Sequence, residues 1–173
     1  MNEETTIWDD FPSHYHFLET TEYKIIIDFI LNNGIESVFE GSVGTGIIPA
    51  MLRQYGYEGK YLGSDYCWPF IDAAKKNNPE ESFIKVDLFK YIDLPDDSFD
   101  CCIVHHGLDY VYPYEKALKE LKRIASKFVI ISLWTPFKAG NDIRFNSAGR
   151  WNVNYYDKDE FYMTDDLDPQ NLY

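Results

Sequence analysis

The chain has 173 residues, which is long enough for one folded domain. Its formal net charge of −13 disfavours binding to the phosphate backbone of a nucleic acid. Its three cysteines lack the spacing of a metal site or a disulfide framework, and no apolar run approaches the roughly 20 residues that span a bilayer. The N-terminus does not resemble a signal peptide. We expect one cytoplasmic domain with no metal site and no membrane or nucleic-acid partner, while oligomeric state is not predicted.

Helical and strand patterns alternate along the chain. Residues 1–20 are aromatic-rich without a clear period and are expected to form a cap or short helix, and a helix begins at Thr21. Short apolar runs predict five strands, at residues 37–40, 61–65, 83–87, 99–104 and 128–134. Helical spacing and proline placement predict helices between them, at residues 46–55, 70–76 and 113–126.

The predicted strands are continuously apolar, which is typical of a parallel sheet covered on both faces. We therefore predict a Rossmann-like three-layer α/β/α sandwich in a single domain, with a cofactor-binding core at residues 21–136. Residues 137–173 form a short C-terminal region in which residues 155–163 are expected to be helical. Because this region is short, the sheet is expected to be mostly parallel and either reduced or truncated at its C-terminal edge.

A loop of small residues follows the first predicted strand and precedes a helix. Gly44 and Gly46 permit positive φ and let a ligand approach the main chain closely. The following helix presents free N–H groups at its start. A plain tight turn would use the same residues, but the position between a strand and a helix favours a binding site.

Acidic residues end three successive predicted strands, at Glu40, Asp65 and Asp87. Ligands of open α/β sheets bind outside the carboxyl ends of the strands. There, Asp65 suits the hydroxyls of a ribose and Asp87 an exocyclic adenine amine, while Glu40 suits an ammonium group, directly or through water. The structural alternatives are a helix cap or turn for Asp65, a turn for Asp87 and support of the glycine loop for Glu40. Together they predict a crevice for an adenosyl cofactor.

Four segments resemble, in order, the motifs of class I S-adenosylmethionine-dependent methyltransferases. They are VFEGSVGTG, YLGSDYCWPFIDAAKK, IKVDLFKYIDLPDDSFDCCIV and YEKALKELKRIASKFVIIS. The resemblance implies S-adenosyl-L-methionine as cofactor and methyl transfer to a small molecule or an exposed acceptor group. The cofactor contacts that it implies follow the strand ends, at Glu40, Gly41, Ser42, Gly44, Gly46, Asp65, Tyr66, Asp87, Leu88 and His105.

Two histidines, His105 and His106, follow the fourth predicted strand at the rim of the crevice. They are the candidate catalytic residues, because histidine suits a general base or a substrate contact. A base is needed only when the acceptor is a hydroxyl or a protonated amine. In the alternative interpretation one ring packs and the other hydrogen-bonds to the main chain.

Three departures from the family pattern leave an alternative function open. Ser42 replaces a glycine of the loop, Tyr110 stands where the family often has histidine, and few residues follow the fifth strand. Serine fits its position if φ there is negative. These departures motivate the alternative of a non-catalytic binding or scaffold protein on the methyltransferase fold.

A nicotinamide dehydrogenase is the other alternative, because it also uses a glycine loop. The Gly-x-Gly-x-x-Gly fingerprint fails, however, since Pro49 takes the place of the third glycine. A Tyr-x-x-x-Lys pair, Tyr112 and Lys116, comes too early in the chain for a short-chain dehydrogenase. The sequence therefore favours the methyltransferase.

Overall fold

The computed structural model describes residues 21–108, 114–133 and 152–157. Within these ranges the helices are α1 Thr21–Asn32, α2 Ile47–Gln54, α3 Trp68–Asn77 and α4 Glu115–Ile124. The strands are β1 Ser37–Glu40, β2 Lys60–Asp65, β3 Ser82–Lys85, β4 Phe99–His105, β5 Ala125–Leu133 and β6 Asn152–Asp157. No helix in the described ranges is long and apolar enough to cross a bilayer.

The six strands form one sheet in the order β3-β2-β1-β4-β5-β6. The first five are parallel, and β6 runs antiparallel to β5. The strand order therefore reverses between β1 and β4, which is where open α/β sheets bind their ligands. The predicted Rossmann-like fold is confirmed.

Both faces of the sheet are buried, and alternate residues of each strand enter different layers. Val38, Cys101 and Ile103 face the layer that contains α1, α2 and α3. Phe39 and Cys102 face the layer that contains α4 and the connection from β3 to β4.

Three expectations about the elements are wrong, and one of them is the helix that was expected to reach residue 126, which ends at Ile124 where β5 begins. Residues 155–157 were expected to be helical but belong to β6, because the edge of β5 offers backbone partners that outweigh the local pattern. The strand that was expected to reach residue 87 ends at Lys85, where pairing with β2 stops. The predictions for residues 1–20, for Tyr110 and for residues 158–173 lie outside the described residues.

Candidate functional site

The loop at residues 41–46 is fixed to the strands on both sides of β1. The Gly41 amide donates to the carbonyl of Ile103 on β4 at 2.8 Å, and the Val43 amide donates to the carbonyl of Ser64 on β2 at 2.8 Å. These bonds continue the ladders of the parallel sheet beyond the end of β1. The loop is thus held rigidly over the point where strand order reverses.

The two glycines of this loop have positive φ but different surroundings. Gly46 has φ +84°, and a Cβ there would lie 2.3 Å from Nδ2 of Asn78, which donates to the Gly46 carbonyl at 2.9 Å. Gly44 has φ +52°, and a Cβ there would meet no atom of the described residues within 4 Å. Gly46 is therefore required by packing, whereas Gly44 faces open space through which a ligand can reach the main chain.

Ser42 fits the loop without backbone strain. Among the described residues other than glycine, those with positive φ are Asp97 and His106. The φ of Ser42 is therefore not positive, which is the condition under which serine can replace the glycine of the loop. Its Oγ donates to the carbonyl of His105 at 3.1 Å. Gly107 leaves room for this contact, since a Cβ there would lie 2.4 Å from the Cβ of Ser42. The serine thus ties the loop to the end of β4.

The carboxylate of Asp65 stands beside the open face of the loop. Its Oδ2 accepts from the Gly44 amide and its Oδ1 from the Cys67 amide, each at 3.0 Å. Burial raises the pKa of Asp65, while these backbone donors act in the opposite direction. A carboxylate has about four lone-pair sites, so each oxygen keeps acceptor capacity. Asp65 thus shapes the loop and can still accept from a ligand.

Tyr66 and Asp87 lie at the same edge of the sheet and are partly exposed. The Tyr66 side chain is among the exposed aromatic residues, with the Lys85 ammonium 5.4 Å from its ring centre. Asp87 accepts from the Phe89 amide at 3.0 Å and pairs with Lys90 at 3.0 Å. Asp87 therefore fills the turn role that the sequence left open, and its contact with adenine stays a prediction.

Glu40 and Leu88 are buried beneath the loop. The Tyr61 hydroxyl donates to Oε2 of Glu40, and burial raises the pKa of Glu40 to about 8, with a further contribution from Asp65. The Leu88 side chain would lie 3.2 Å from a Cβ at Gly41, so it packs against the loop. Glu40 supports the loop from below, and its predicted contact with an ammonium group remains a prediction.

His105 and His106 come together although they are consecutive residues. His105 continues the alternation of β4 and faces the layer that contains α1, where its ring lies 4.5 Å from that of Tyr23. His106 has φ +54°, and its ring centre lies 4.0 Å from that of His105. Burial, with a smaller contribution from His106, lowers the pKa of His105 to about 3. His105 is therefore neutral at pH 7.

Glu22 on α1 lies beside these two histidines, and it was not among the residues predicted from the sequence. Glu22, His105 and His106 together are called the histidine corner. Glu22 is 4% exposed, and its Oε2 lies 3.2 Å from Nε2 of His106. A signal existed, because Glu22, Ile26 and Ile30 share one helical face, and both isoleucines are buried. A carboxylate on a buried face needs a polar partner.

A known family matches the part of the chain that contains most of these residues. A family model described as a methyltransferase domain matches residues 40–130, which include the loop, Asp65, Asp87, His105 and His106. The chain belongs to this family. The predicted resemblance to class I S-adenosylmethionine-dependent methyltransferases is thus confirmed.

Individual relatives are more distant. Demethylmenaquinone methyltransferase of Thermus thermophilus is 26% identical over 102 residues, which cover 57% of this chain and 46% of that protein. Among solved structures, the YcgJ protein of Bacillus subtilis has a TM-score of 0.58 at 16% identity. The match covers 66% of this chain and 50% of the YcgJ chain.

Magnesium protoporphyrin IX methyltransferase of Synechocystis PCC 6803, solved with bound SAM, has a TM-score of 0.57 at 20% identity. The match covers 70% of this chain and 61% of that one. At these identities the structural likeness shows the fold alone. The chain spans about half the length of the first relatives it matches, at 46% and 50% of their lengths.

Proposed function

We propose that this domain binds S-adenosyl-L-methionine and transfers its methyl group to a small-molecule acceptor. The observation that carries the proposal is the open face of Gly44 beside the Asp65 carboxylate, at the reversal of strand order in a methyltransferase-family sheet. An adenosyl ligand requires a stretch of main chain that no side chain covers, and it requires a carboxylate with spare acceptor capacity.

In this assignment the loop and the strand ends hold different parts of the cofactor. Asp65 accepts hydrogen bonds from the ribose hydroxyls, and the partly exposed Tyr66 ring lies next to it. Loop residues 41–46 approach the methionine arm through main chain, with Gly44 giving the closest access. Glu40 acts from below the loop, and Asp87, Leu88 and the main chain of His105 complete the adenosyl site.

The bound cofactor supplies an electrophilic sulfonium methyl group, so the protein mainly positions the acceptor in line and excludes water. His105 and His106 lie at the end of β4, next to the loop through the bond from Ser42 Oγ to the His105 carbonyl. We assign this corner to the acceptor side of the site. A side chain of this corner contacts the acceptor.

Two observations support a small acceptor. The net charge of −13 disfavours a nucleic-acid backbone. The names of the Thermus thermophilus relative and the Synechocystis neighbour both specify small organic acceptors. A panel of small molecules, a tRNA pool and a protein lysate can be compared by the formation of S-adenosylhomocysteine. Product formed only with the tRNA or the lysate would contradict this part of the proposal.

The binding claim is tested by calorimetric titration with S-adenosylmethionine. We expect wild-type protein to bind one equivalent and Asp65→Asn to bind at least about tenfold more weakly, because hydrogen bonds to a charged acceptor contribute about 1.5–3 kcal/mol. Asp72→Asn, an exposed change on α3, is the matched control and should bind like wild type. Absence of wild-type binding, or equal affinity of both variants, would contradict the proposal and favour the non-catalytic alternative.

A further inference from the structure

We propose that Glu22, His105 and His106 form a binding site for one divalent transition-metal ion of the Zn²⁺ class. Each residue offers one ligand atom, and these atoms all lie within 4.8 Å of one another. The site joins the start of α1 to the end of β4. Metal binding at these three residues does not depend on methyl transfer.

The corner holds buried polar atoms whose hydrogen bonds are not accounted for by the described residues. Glu22 Oε1, His105 Nδ1 and Ser132 Oγ are buried and have no hydrogen-bond partner within that part of the chain. Ser132 is the register partner of His105 on β5, so the two residues are adjacent in the sheet. Buried polar groups in native proteins are nearly always satisfied. Three such atoms in one place indicate a bound species.

The backbone is bent to bring the two imidazoles together. Side chains of consecutive residues in a strand point to opposite faces, so a continued β4 would separate His105 from His106. Instead, His106 has φ +54°, and the ring centres are 4.0 Å apart. A left-handed residue other than glycine costs about 1–2 kcal/mol and is characteristic of functional sites. Binding of one ion by both imidazoles offsets the free-energy cost of this conformation.

The donor set and its spacing suit a tetrahedral ion. Two imidazole nitrogens and one carboxylate oxygen are the protein ligands of many catalytic zinc sites, in which the fourth position stays open. Two ligands bound at 2.0–2.1 Å on a tetrahedral ion are about 3.3 Å apart. Glu22 Oε2 and His106 Nε2 are separated by 3.2 Å. The ligand atoms all lie within 4.8 Å of one another, so His105 has to approach the other two by at most about 1.5 Å to reach this spacing.

The test uses full-length protein without a polyhistidine tag, freed of metal by dialysis against a chelator. Titration with Zn²⁺ should show one equivalent bound, and Co²⁺ should give visible ligand-field bands of a four-coordinate nitrogen and oxygen site. Glu22→Gln and His106→Gln should each weaken Zn²⁺ binding at least tenfold. Circular dichroism reports whether each variant is folded.

Two matched controls keep the result specific. Glu36→Gln changes an exposed glutamate of the same fold, and a double change of His14 and His16 to glutamine removes the other histidines of the chain. Both should bind Zn²⁺ like wild type. Loss of binding in the His14/His16 variant, or retention of full affinity in Glu22→Gln and His106→Gln, would overturn the proposal.

Crystals soaked in Zn²⁺ give a readout that needs no variant. An anomalous peak between the three side chains is the expected result. A peak elsewhere, or none at a stoichiometric load, would show that the corner is held by the hydrogen bond between Glu22 and His106 instead of by a metal.

Discussion

Two regions at the carboxyl edge of the sheet differ in how their polar groups are satisfied. In the loop at residues 41–46, main-chain and side-chain bonds to β2 and β4 fix the backbone, and one glycine face is left open. At the corner of His105 and His106, the backbone is strained and buried polar atoms lack partners among the described residues.

The difference indicates two kinds of site. A loop whose own groups are paired can receive a ligand without rearrangement, which is how a cofactor is bound. A corner in which buried Glu22 and His105 atoms lack partners among the described residues is stabilised when something binds there. The Ser42 hydroxyl connects the two regions through its bond to the His105 carbonyl. Substitutions can therefore change the loop alone or the link between the two regions.

The strongest perturbation of the loop is Gly46→Ala. The new Cβ would lie 2.3 Å from Asn78 Nδ2 at a residue with φ +84°. We expect the free energy of unfolding to fall by about 3 kcal/mol, from backbone strain and steric overlap together. Urea denaturation measures this change. Gly44→Ala is the matched control, at φ +52° with no described atom within 4 Å of the new Cβ, and should cost only about 1 kcal/mol. Equal losses would contradict the assigned roles of the two glycines.

Glu40→Gln tests the buried support of the loop. Because burial raises the pKa of Glu40 from its usual value of about 4.5 to about 8 in the fold, the native state between these pH values holds a proton that the unfolded chain has lost. Wild-type stability from this group should fall as pH rises from about 4.5 to 8. The variant resembles the protonated acid, so it should lack this dependence.

Near pH 5 the two proteins should be similarly stable with respect to this group. At pH 9 the variant should be more stable by up to about 5 kcal/mol, because a tenfold difference in proton affinity corresponds to about 1.4 kcal/mol. Denaturation at both pH values measures the difference. A variant that is less stable than wild type at pH 9 would show that Glu40 is ionised and paired in the fold.

The smallest expected effect is that of Ser42→Ala, which breaks the link between the two regions. Removing the bond to the His105 carbonyl should cost about 0.5–1.5 kcal/mol. Ser126→Ala, which removes a hydroxyl bonded to Asp100 at the other end of β4, is a matched control for stability. If the link matters, only Ser42→Ala should also weaken Zn²⁺ binding at the corner, measured by titration. An unchanged affinity would show that the regions are independent.

The sequence predicted the parallel sheet well because its signals are local. Continuous apolar runs ending in Glu40 and Asp65 mark strands buried on both faces, and Gly44 and Gly46 mark the turn. β6 was missed because pairing with the edge of β5 depends on a partner distant in sequence. The local spacing of apolar residues does not show which strand a segment will pair with.

The candidate site was predicted in outline, and its polar contacts were not. Nothing local shows that Asp65 accepts from the Gly44 amide, or that Tyr61 covers Glu40. The corner depends on the φ of His106 and on a glutamate 84 positions away. The face shared by Glu22 with two buried isoleucines was readable, but its partner required the fold.

A crystal structure of the wild-type domain with S-adenosylhomocysteine tests the central claim most directly. The account predicts ribose hydroxyls within hydrogen-bond distance of the Asp65 carboxylate and the amino-acid arm of the ligand against the main chain of Gly44. A ligand bound away from both residues, or a loop that must rearrange before the ligand fits, would contradict the account.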